Sequence, residues 1–161
     1  MSKHWVKQAI GNDTCRPKFN EMFVLDGWLY ATDSHRLHRA KTRLSNSHRK
    51  DLPNIQSLFQ EINAQGLKKW VALKFKSLKL IEKTEYKEEY YNRFGVFEDE
   101  KIIRPDIFKI DGHNYQAKYI MQSFAGHAEM EYLGGLENMI YLRSLDGRRE
   151  AVIMCINNRR L

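Results

Sequence analysis

Two Asp-Gly pairs, one near each end of the chain, constrain the fold more than any other sequence feature. Asp26-Gly27 separates the apolar run at 22–25 from the run at 28–32, and Asp146-Gly147 lies between two apolar runs in the same way. An Asp-Gly pair in this setting is a strong hairpin signal, because both residues tolerate the positive φ angles of a tight turn. The sequence therefore predicts antiparallel sheet near both ends of the chain.

The first region, residues 1–42, begins with a helix signal. Apolar residues recur at helical spacing and predict a short helix over 4–10. The hairpin of 22–25 and 28–32 follows it, and a further strand is predicted at 37–41. The predicted order is one helix and then an antiparallel meander.

The last region, residues 107–161, repeats that order. Asp111 or Asn114 can cap a helix that runs to about Phe124. Three predicted strands then follow, at 128–133, 139–145 and 151–156. Because a sheet must cover its apolar face with helices, the two regions together predict an α+β domain of two helix-plus-antiparallel-strand halves.

The middle region, residues 43–106, is predicted to be an inserted or connecting region within a single domain. A helix is expected within 53–66, because a proline opens this segment and a glycine ends it. Alternating apolar and basic residues predict a strand with one basic face at 70–76. A hairpin is predicted within 94–103, with the acidic residues 98–100 at its tip.

Composition excludes several classes of protein. The chain is 42% hydrophobic, which suffices for a core. No stretch approaches the roughly 20 apolar residues that cross a bilayer, and the N-terminus lacks the apolar segment of a secretory signal. The two cysteines, Cys15 and Cys155, are far apart, so neither a disulfide framework nor a structural zinc site is expected. We therefore expect a cytoplasmic protein without membrane contact.

The charge balance favours an anionic partner. Lysine and arginine number 27 against 20 aspartate and glutamate residues, which gives a formal net charge of +7. An excess of this sign attracts polyanions, and nucleic acid is the first candidate.

The segment 29–37, Leu-Tyr-Ala-Thr-Asp-Ser-His-Arg-Leu, resembles the hallmark of the bacterial DNA polymerase III beta sliding clamp family. That family typically shows Ala-Thr-Asp-Gly-His-Arg-Leu after the same helix–strand–turn–strand order, and here Ser34 replaces the glycine. The C-terminal segment 152–161 is similar to the family's final strand and its Met-Pro-Met-Arg-Leu ending, with the last two residues matching. Segments 12–20 and 114–124 also resemble family sequences.

The resemblance covers about residues 3–42 and 107–161, and it implies a DNA-clamp-like fold. Members of the family act as replication processivity factors: each chain has three such domains, and two chains close a ring around DNA. The present chain has room for one domain. A ring would then require a homo-oligomer, and six copies would reproduce the family's number of domains.

The resemblance also implies a peptide-binding pocket. In the family, the Thr-Asp-Gly-His-Arg-Leu segment and the C-terminal tail shape a hydrophobic pocket for short peptide motifs of polymerase and clamp-loader subunits. The corresponding residues of this chain are Thr32, Ser34, His35, Arg36, Leu37, Met154, Ile156, Arg160 and Leu161. In the family these two elements lie in adjacent domains. Here they fall in one, so the pocket forms between subunits, is remodelled or is lost.

Five lysines are candidates for non-specific contact with duplex DNA. Lys3 and Lys7 on the first helix, and Lys118 on the second, occupy the helices that face the central hole in the family. Lys74 and Lys76 belong to a basic patch in the middle region, for which a solvated surface is an equal alternative. Contacts of this kind are made to phosphates and carry no sequence information.

No catalytic activity, metal or cofactor is predicted. Asp33 could orient His35 as a general base, but no nucleophile or phosphate-binding loop accompanies the pair. The alternative is structural: Asp33 caps the turn and Arg36 pairs with a carboxylate. The leading hypothesis is therefore a clamp-like subunit that oligomerises around DNA. A monomeric or dimeric binding module that modulates a polymerase or clamp, and a small nucleic-acid-modifying enzyme, are the alternatives.

Overall fold

The computed structural model describes residues 2–12, 15–66, 68–81, 86–91, 97–103 and 106–156. Its helices are α1 (Ser2–Lys7), α2 (Ile55–Ala64) and α3 (Ala117–Ser123), with short 3-10 turns at Pro17–Phe19 and Phe75–Ser77. Its strands are β1 (Phe23–Leu25), β2 (Trp28–Thr32), β3 (Arg36–Lys41), β4 (Trp70–Lys74), β5 (Leu80–Ile81), β6 (Tyr86–Tyr91), β7 (Phe97–Ile103), β8 (Ile107–Ile110), β9 (His113–Gln116), β10 (Glu129–Leu133), β11 (Met139–Ser144) and β12 (Arg149–Met154). No helix in these ranges is long and apolar enough to span a bilayer.

The main sheet has seven strands in the order β1-β2-β3-β12-β11-β10-β4, and every pair is antiparallel. The first meander, β1-β2-β3, meets the last meander, β12-β11-β10, where β3 pairs with β12. His38 lies opposite Ala151 in this central pair, and Leu37 lies opposite Val152. The α+β class and the two helix-plus-meander segments agree with the sequence prediction.

The hairpin turns form as predicted, but the start of the last helix was predicted wrongly. Asp26 and Gly27 both have positive φ, as a tight turn between β1 and β2 requires. Asp111 and Gly112 also have positive φ, and they turn β8 back into β9 instead of capping a helix. Helix α3 consequently begins only at Ala117.

Two hydrophobic cores lie on opposite faces of the sheet. One core packs beneath α1 and α3 and includes Val6, Ile120 and Ile153, all fully buried. The other packs beneath α2 and includes Leu37 and Val152. Because successive strand residues point to opposite faces, Val152 and Ile153 belong to different cores. Both faces of the sheet are therefore partly covered by helix.

A row of alternating charges crosses the α2 face of the sheet. Arg39, Glu150, Arg143 and Glu131 occupy directly opposed positions on β3, β12, β11 and β10. Arg39 Nε donates to Glu150 at 2.7 Å, and Arg143 Nε donates to Glu131 at 2.6 Å. Opposite charges at directly opposed positions stabilise a sheet and fix the register of its strands.

The middle region contributes directly to the main sheet. Helix α2 has the Asn54 side chain at its N-cap, where Oδ1 accepts the Ser57 N–H at 3.2 Å, and β4 forms a sheet edge by pairing with β10. The predicted strand stops at Lys74, because the chain then enters a 3-10 turn. The acidic residues 98–100 do not form a hairpin tip; they lie within β7, paired with β6.

Candidate functional site

A cavity of about 340 Å³ opens between the turn after β2, the start of α2 and the end of β12. It brings together six of the nine predicted pocket residues. They are Thr32, Ser34, His35, Arg36, Leu37 and Met154. The cavity lies within one chain, so no second subunit is needed to form it.

The floor of the cavity is apolar. Leu37 and Val152, which face each other across β3 and β12, are buried, as is Ile55 at the start of α2. Met154 remains 39% exposed at the rim, where a ligand can reach its flexible side chain. An apolar floor with few polar groups suits the side chains of a short apolar peptide.

The wall of the cavity is a turn held by its own side chains. Asp33 Oδ1 accepts the backbone N–H groups of His35 at 2.9 Å and Arg36 at 3.0 Å. Thr32 Oγ1 donates to the Arg36 carbonyl at 2.6 Å. Ser34 has φ +75, in the left-handed region that glycine adopts most easily. Asp33 therefore caps the turn, in agreement with the structural alternative given for this residue.

Arg36 lines the cavity, but its guanidinium lies on the α1/α3 side of β3. Its guanidinium donates to the Gln8 carbonyl and the Gln122 amide oxygen, and it lies over the Tyr119 ring at 4.5 Å. Burial lowers the pKa of Arg36, and Asp33, 3.5 Å from Nε, opposes that effect. Because its guanidinium connects β3 to α1 and α3, the expectation that this side chain orients a peptide does not fit the geometry.

Of the other three predicted pocket residues, the structure describes only Ile156. Strand β12 ends at Met154, and the Ile156 N–H donates to the Asn114 carbonyl at 2.8 Å, so Ile156 does not line the cavity. Arg160 and Leu161 lie outside the described residues.

Sequence reasoning missed one whole side of the cavity. Phe19 and Lys18 come from the 3-10 turn Pro17–Phe19, whose position is fixed by the Gly11 N–H donating to the Phe19 carbonyl at 2.7 Å. Pro53 and Leu58 come from the start of α2. The predicted helix start at Pro53 was the available signal, but nothing local to that segment shows which strands it covers.

Three of the predicted DNA-contacting lysines share one face. Lys3 and Lys7 are exposed on α1, and Lys118 is exposed on α3. The Trp5 Nε1–H donates to the Ser123 carbonyl at 3.0 Å and holds the two helices together. Neither helix contains an acidic residue, but the exposed Asp106 lines the same cavity as Lys118.

Lys74 does not belong to that face. In β4, Trp70 packs into the α2 core and Leu73 into the α1/α3 core. Strand alternation therefore directs Lys74 to the α2 side of the sheet. Lys76 is exposed in the 3-10 turn that follows. Of the five predicted lysines, three therefore lie on the α1/α3 side of the sheet, Lys74 lies on the α2 side and Lys76 lies in a turn.

The described residues contain no group of His, Cys, Asp or Glu side chains that could hold a metal ion. His38 is the most perturbed histidine, and burial lowers its pKa to about 3. His38 belongs to β3 and is enclosed beneath α1 and α3, away from the cavity, where it contacts both helices.

No family model, curated protein or solved structure that was compared with the chain matches it.

Proposed function

We propose that the chain is a sliding-clamp-like replication accessory protein that binds short peptide segments of polymerase or clamp-loader subunits. The observation that carries the proposal is the cavity between residues 32–37 and the end of β12, because it joins the two segments that resemble the clamp family. The cavity volume of about 340 Å³ lies in the range of ligand sites.

The chemistry of the cavity suggests how a peptide would bind. One apolar side chain of the size of leucine, buried over Leu37 and Val152, contributes about 1.5–3 kcal/mol. The Met154 side chain can adjust to different apolar partners, since it is unbranched and half exposed at the rim. The proposed ligand is therefore a short extended segment with one or two apolar anchor residues.

Duplex DNA is the second proposed partner. Lys3, Lys7 and Lys118 lie on α1 and α3, two helices that contain no acidic residue, and this charge favours contact with phosphates. Binding of this type is independent of base sequence and weakens steeply as salt concentration rises.

The proposal has two versions that differ in assembly state: a ring of copies around DNA, and a monomeric or dimeric module. A ring of single-domain copies would pair the sheet edge of one copy with that of the next. The β1 edge is partly covered: Ser47 Oγ accepts the Val24 N–H at 2.8 Å, and the Ser47 N–H donates to the Val24 carbonyl at 2.9 Å. This cover favours the alternative, a monomeric or dimeric module that does not encircle DNA. Light scattering over a wide concentration range separates the two.

The peptide proposal is tested by titrating a fluorescent peptide from a clamp-binding segment of a bacterial polymerase. The substitution Met154→Lys places a charge at the rim and should weaken binding about tenfold, a loss of about 1.4 kcal/mol. Met121→Lys is the matched control, because Met121 is also exposed but lies on α3. Equal affinities of both variants and the wild type would contradict the pocket assignment.

A further inference from the structure

Strand β4 forms one edge of the main sheet. It pairs with β10 on one side, and no strand in the described ranges pairs with its other side. The opposite edge differs, because both backbone groups of Val24 in β1 are bonded to Ser47. An uncovered edge strand is a template for the pairing of a further strand. Of the two edges, β4 is therefore the one that can accept another strand.

The hydrogen bonds of β4 show which of its backbone groups point away from β10. The Phe75 N–H, directly after the strand, donates to the Ala128 carbonyl at 2.9 Å. In an antiparallel pair such bonds recur at every second residue, so the backbone groups of Leu73 also point toward β10. Trp70 and Ala72 alternate with these residues and direct their N–H and C=O groups outward. Among the described residues, no backbone hydrogen bond reaches these outward groups.

The charged side chains along this edge are basic. Residues 69–76 include Lys69, Lys74 and Lys76, all exposed, and no acidic residue. No ion pair links these lysines to a carboxylate in the part of the chain that the structure describes. Glu129 lies opposite Lys74 in β10 and offsets part of this charge, whereas the next acidic residue of β10 is already bonded to an arginine of β11. The edge therefore retains an excess of positive charge.

The lysines and the alternation of β4 indicate which kind of strand fits the edge. Two copies of this chain paired through β4 would bring their lysines together, whereas a segment with carboxylates would place opposite charges beside them. On the α2 side of the sheet, the added residues would lie beside Ala72 and Lys74, and on the other side they would lie beside Val71. Val71 is apolar and 42% exposed, so an apolar side chain would cover it. The matching segment therefore alternates acidic and apolar residues.

We infer that β4 accepts an extended segment of another protein, with alternating acidic and apolar residues, as an additional strand of the main sheet. The main chain of that segment would bond to Trp70 and Ala72, and the lysines would select acidic residues. The Lys74 carbonyl already accepts the Ser77 hydroxyl at 2.7 Å, so the pairing is centred on Ala72. Strands β10 and β11 separate β4 from β12. The site is therefore distinct from the cavity of the proposed function and does not depend on it.

The first test measures the binding of two short fluorescein-labelled peptides by anisotropy. One peptide alternates glutamate and valine, and the other alternates lysine and valine. The glutamate peptide should bind at least about tenfold more tightly, because only its charges complement the lysines of the edge. The triple variant Lys69→Gln, Lys74→Gln, Lys76→Gln should reduce this preference to about twofold or less. Equal affinities of the wild type for the two peptides would overturn the inference.

The matched control removes three positive charges elsewhere, by Lys41→Gln, Arg43→Gln and Lys50→Gln, all exposed and at or after the end of β3. Its affinity for the glutamate peptide should stay within about twofold of the wild type, since salt screens distant exposed charges. Equal losses in both triple variants would show that the net charge of the protein, and not the β4 edge, attracts the peptide, which contradicts the inference.

A substitution within β4 separates strand addition from attraction by charge alone. Ala72→Pro removes the outward N–H and leaves the bonds to β10 in place, so an edge strand tolerates it. This variant should bind the glutamate peptide at least about tenfold more weakly, whereas Ala72→Ser, which keeps the N–H, should bind within about twofold of the wild type. Circular dichroism of each variant shows whether the fold is retained. Undiminished binding by a folded proline variant would overturn the inference.

Amide exchange measured by NMR tests the same pairing in the wild-type protein. The Ala72 N–H should exchange rapidly in the free protein and slowly when the glutamate peptide is bound, whereas the Leu73 N–H should be protected in both states. Slow exchange of Ala72 in the free protein would mean that the edge is already covered, by the chain itself or by a second copy. Light scattering distinguishes these two cases, and either one overturns the inference.

A competition experiment separates this inference from the proposed function. The unlabelled clamp-binding segment of a bacterial polymerase, which is expected in the cavity, should not displace the glutamate peptide from β4. Displacement would place both peptides in the cavity, which overturns the inference and leaves the proposed function intact. Binding of the glutamate peptide that depends on Ala72 supports the inference even if the polymerase segment does not bind at all.

Discussion

His38 stacks on Trp5 with their ring centroids 4.2 Å apart, and its Nδ1 bonds to the Trp5 carbonyl oxygen at 2.8 Å. Because a carbonyl oxygen can only accept, Nδ1 carries the proton. The other ring nitrogen lies 3.3 Å from the Ser123 hydroxyl oxygen. One buried side chain thereby connects β3 to the first and last helices, which belong to the two halves of the domain.

This environment predicts a pH dependence of stability. The pKa of His38 is near 6.5 in the unfolded chain and about 3 in the folded protein, mainly because burial disfavours the charged ring. Between these values the unfolded state binds more protons. The stability that neutral His38 contributes is therefore complete above pH 6.5. It declines by up to about 1.4 kcal/mol per pH unit as the pH falls toward 3.

Denaturant unfolding at a series of pH values, compared with His38→Gln, checks this expectation. Glutamine retains a donor for the Trp5 carbonyl but does not titrate, so the difference between the two proteins isolates the histidine. Parallel pH profiles would show that another group causes the acid sensitivity.

The turn at the cavity wall predicts that Ser34→Gly stabilises the protein. Ser34 has φ +75, a conformation that costs a side-chain-bearing residue about 1 kcal/mol and glycine little. The gain should reach at most about 1 kcal/mol, because glycine also increases the entropy of the unfolded chain. Ser45→Gly, in an exposed loop without positive φ, should bring no gain. The midpoint temperatures of thermal unfolding of both variants show whether the gain comes from relief of backbone strain at residue 34 or from glycine in general.

The charged row on the α2 face predicts that Glu150→Gln lowers the free energy of unfolding more than Glu131→Gln does. Glu150 accepts from Arg39 and from the Tyr141 hydroxyl, whose pKa is raised by burial and by the Glu150 carboxylate, so the phenol remains a donor. Glu150→Gln should cost about 2–3 kcal/mol, because it leaves the Arg39 charge poorly compensated between aromatic rings.

The control for this prediction is Glu131→Gln. The Glu131–Arg143 pair is more exposed, at 30% and 35%, so its loss should cost less than about 1 kcal/mol. Urea unfolding of both variants gives the comparison. Equal losses of unfolding free energy would mean that the Arg39–Glu150 pair stabilises the fold no more than the exposed pair does.

The cover over the β1 edge predicts a local effect of Ser47→Ala. Ser47 Oγ is the acceptor for the Val24 amide, so its removal should accelerate hydrogen exchange at Val24 and cost about 1 kcal/mol. Amide exchange measured by NMR resolves this position, and Leu29 in the paired strand β2 serves as an internal reference. Unchanged exchange at Val24 would show that the loop does not protect this edge.

The sequence predicted the helices, strands and turns better than it predicted how they pack against each other. Asp26-Gly27 indicated a hairpin because turn chemistry is local. Asp111 instead predicts a helix cap, because aspartate is also a favoured cap residue, and the structure has a hairpin turn at Asp111-Gly112.

The cavity was predicted in part for the same reason. Residues 32–37 and Met154 belong to two segments that resemble the clamp family, and this resemblance is what assigned them to one predicted site. The direction of the Arg36 guanidinium and the approach of Phe19 and Pro53 depend on packing between segments distant in the sequence. Local patterns contain no information about such contacts.

The pairing of β3 with β12 has a consequence for the order of events during synthesis. The cavity floor needs Val152, which is added more than a hundred residues after its partner Leu37. A chain synthesised only as far as residue 148 cannot offer the cavity to a ligand, because strand β12 is still missing from its central strand pair. Folding should also be slow for a domain of this size. The chain loses entropy when it closes so long a loop, and the stabilising contacts between β3 and β12 form only afterwards. Occupancy of the cavity would consequently report that β3 and β12 have already paired.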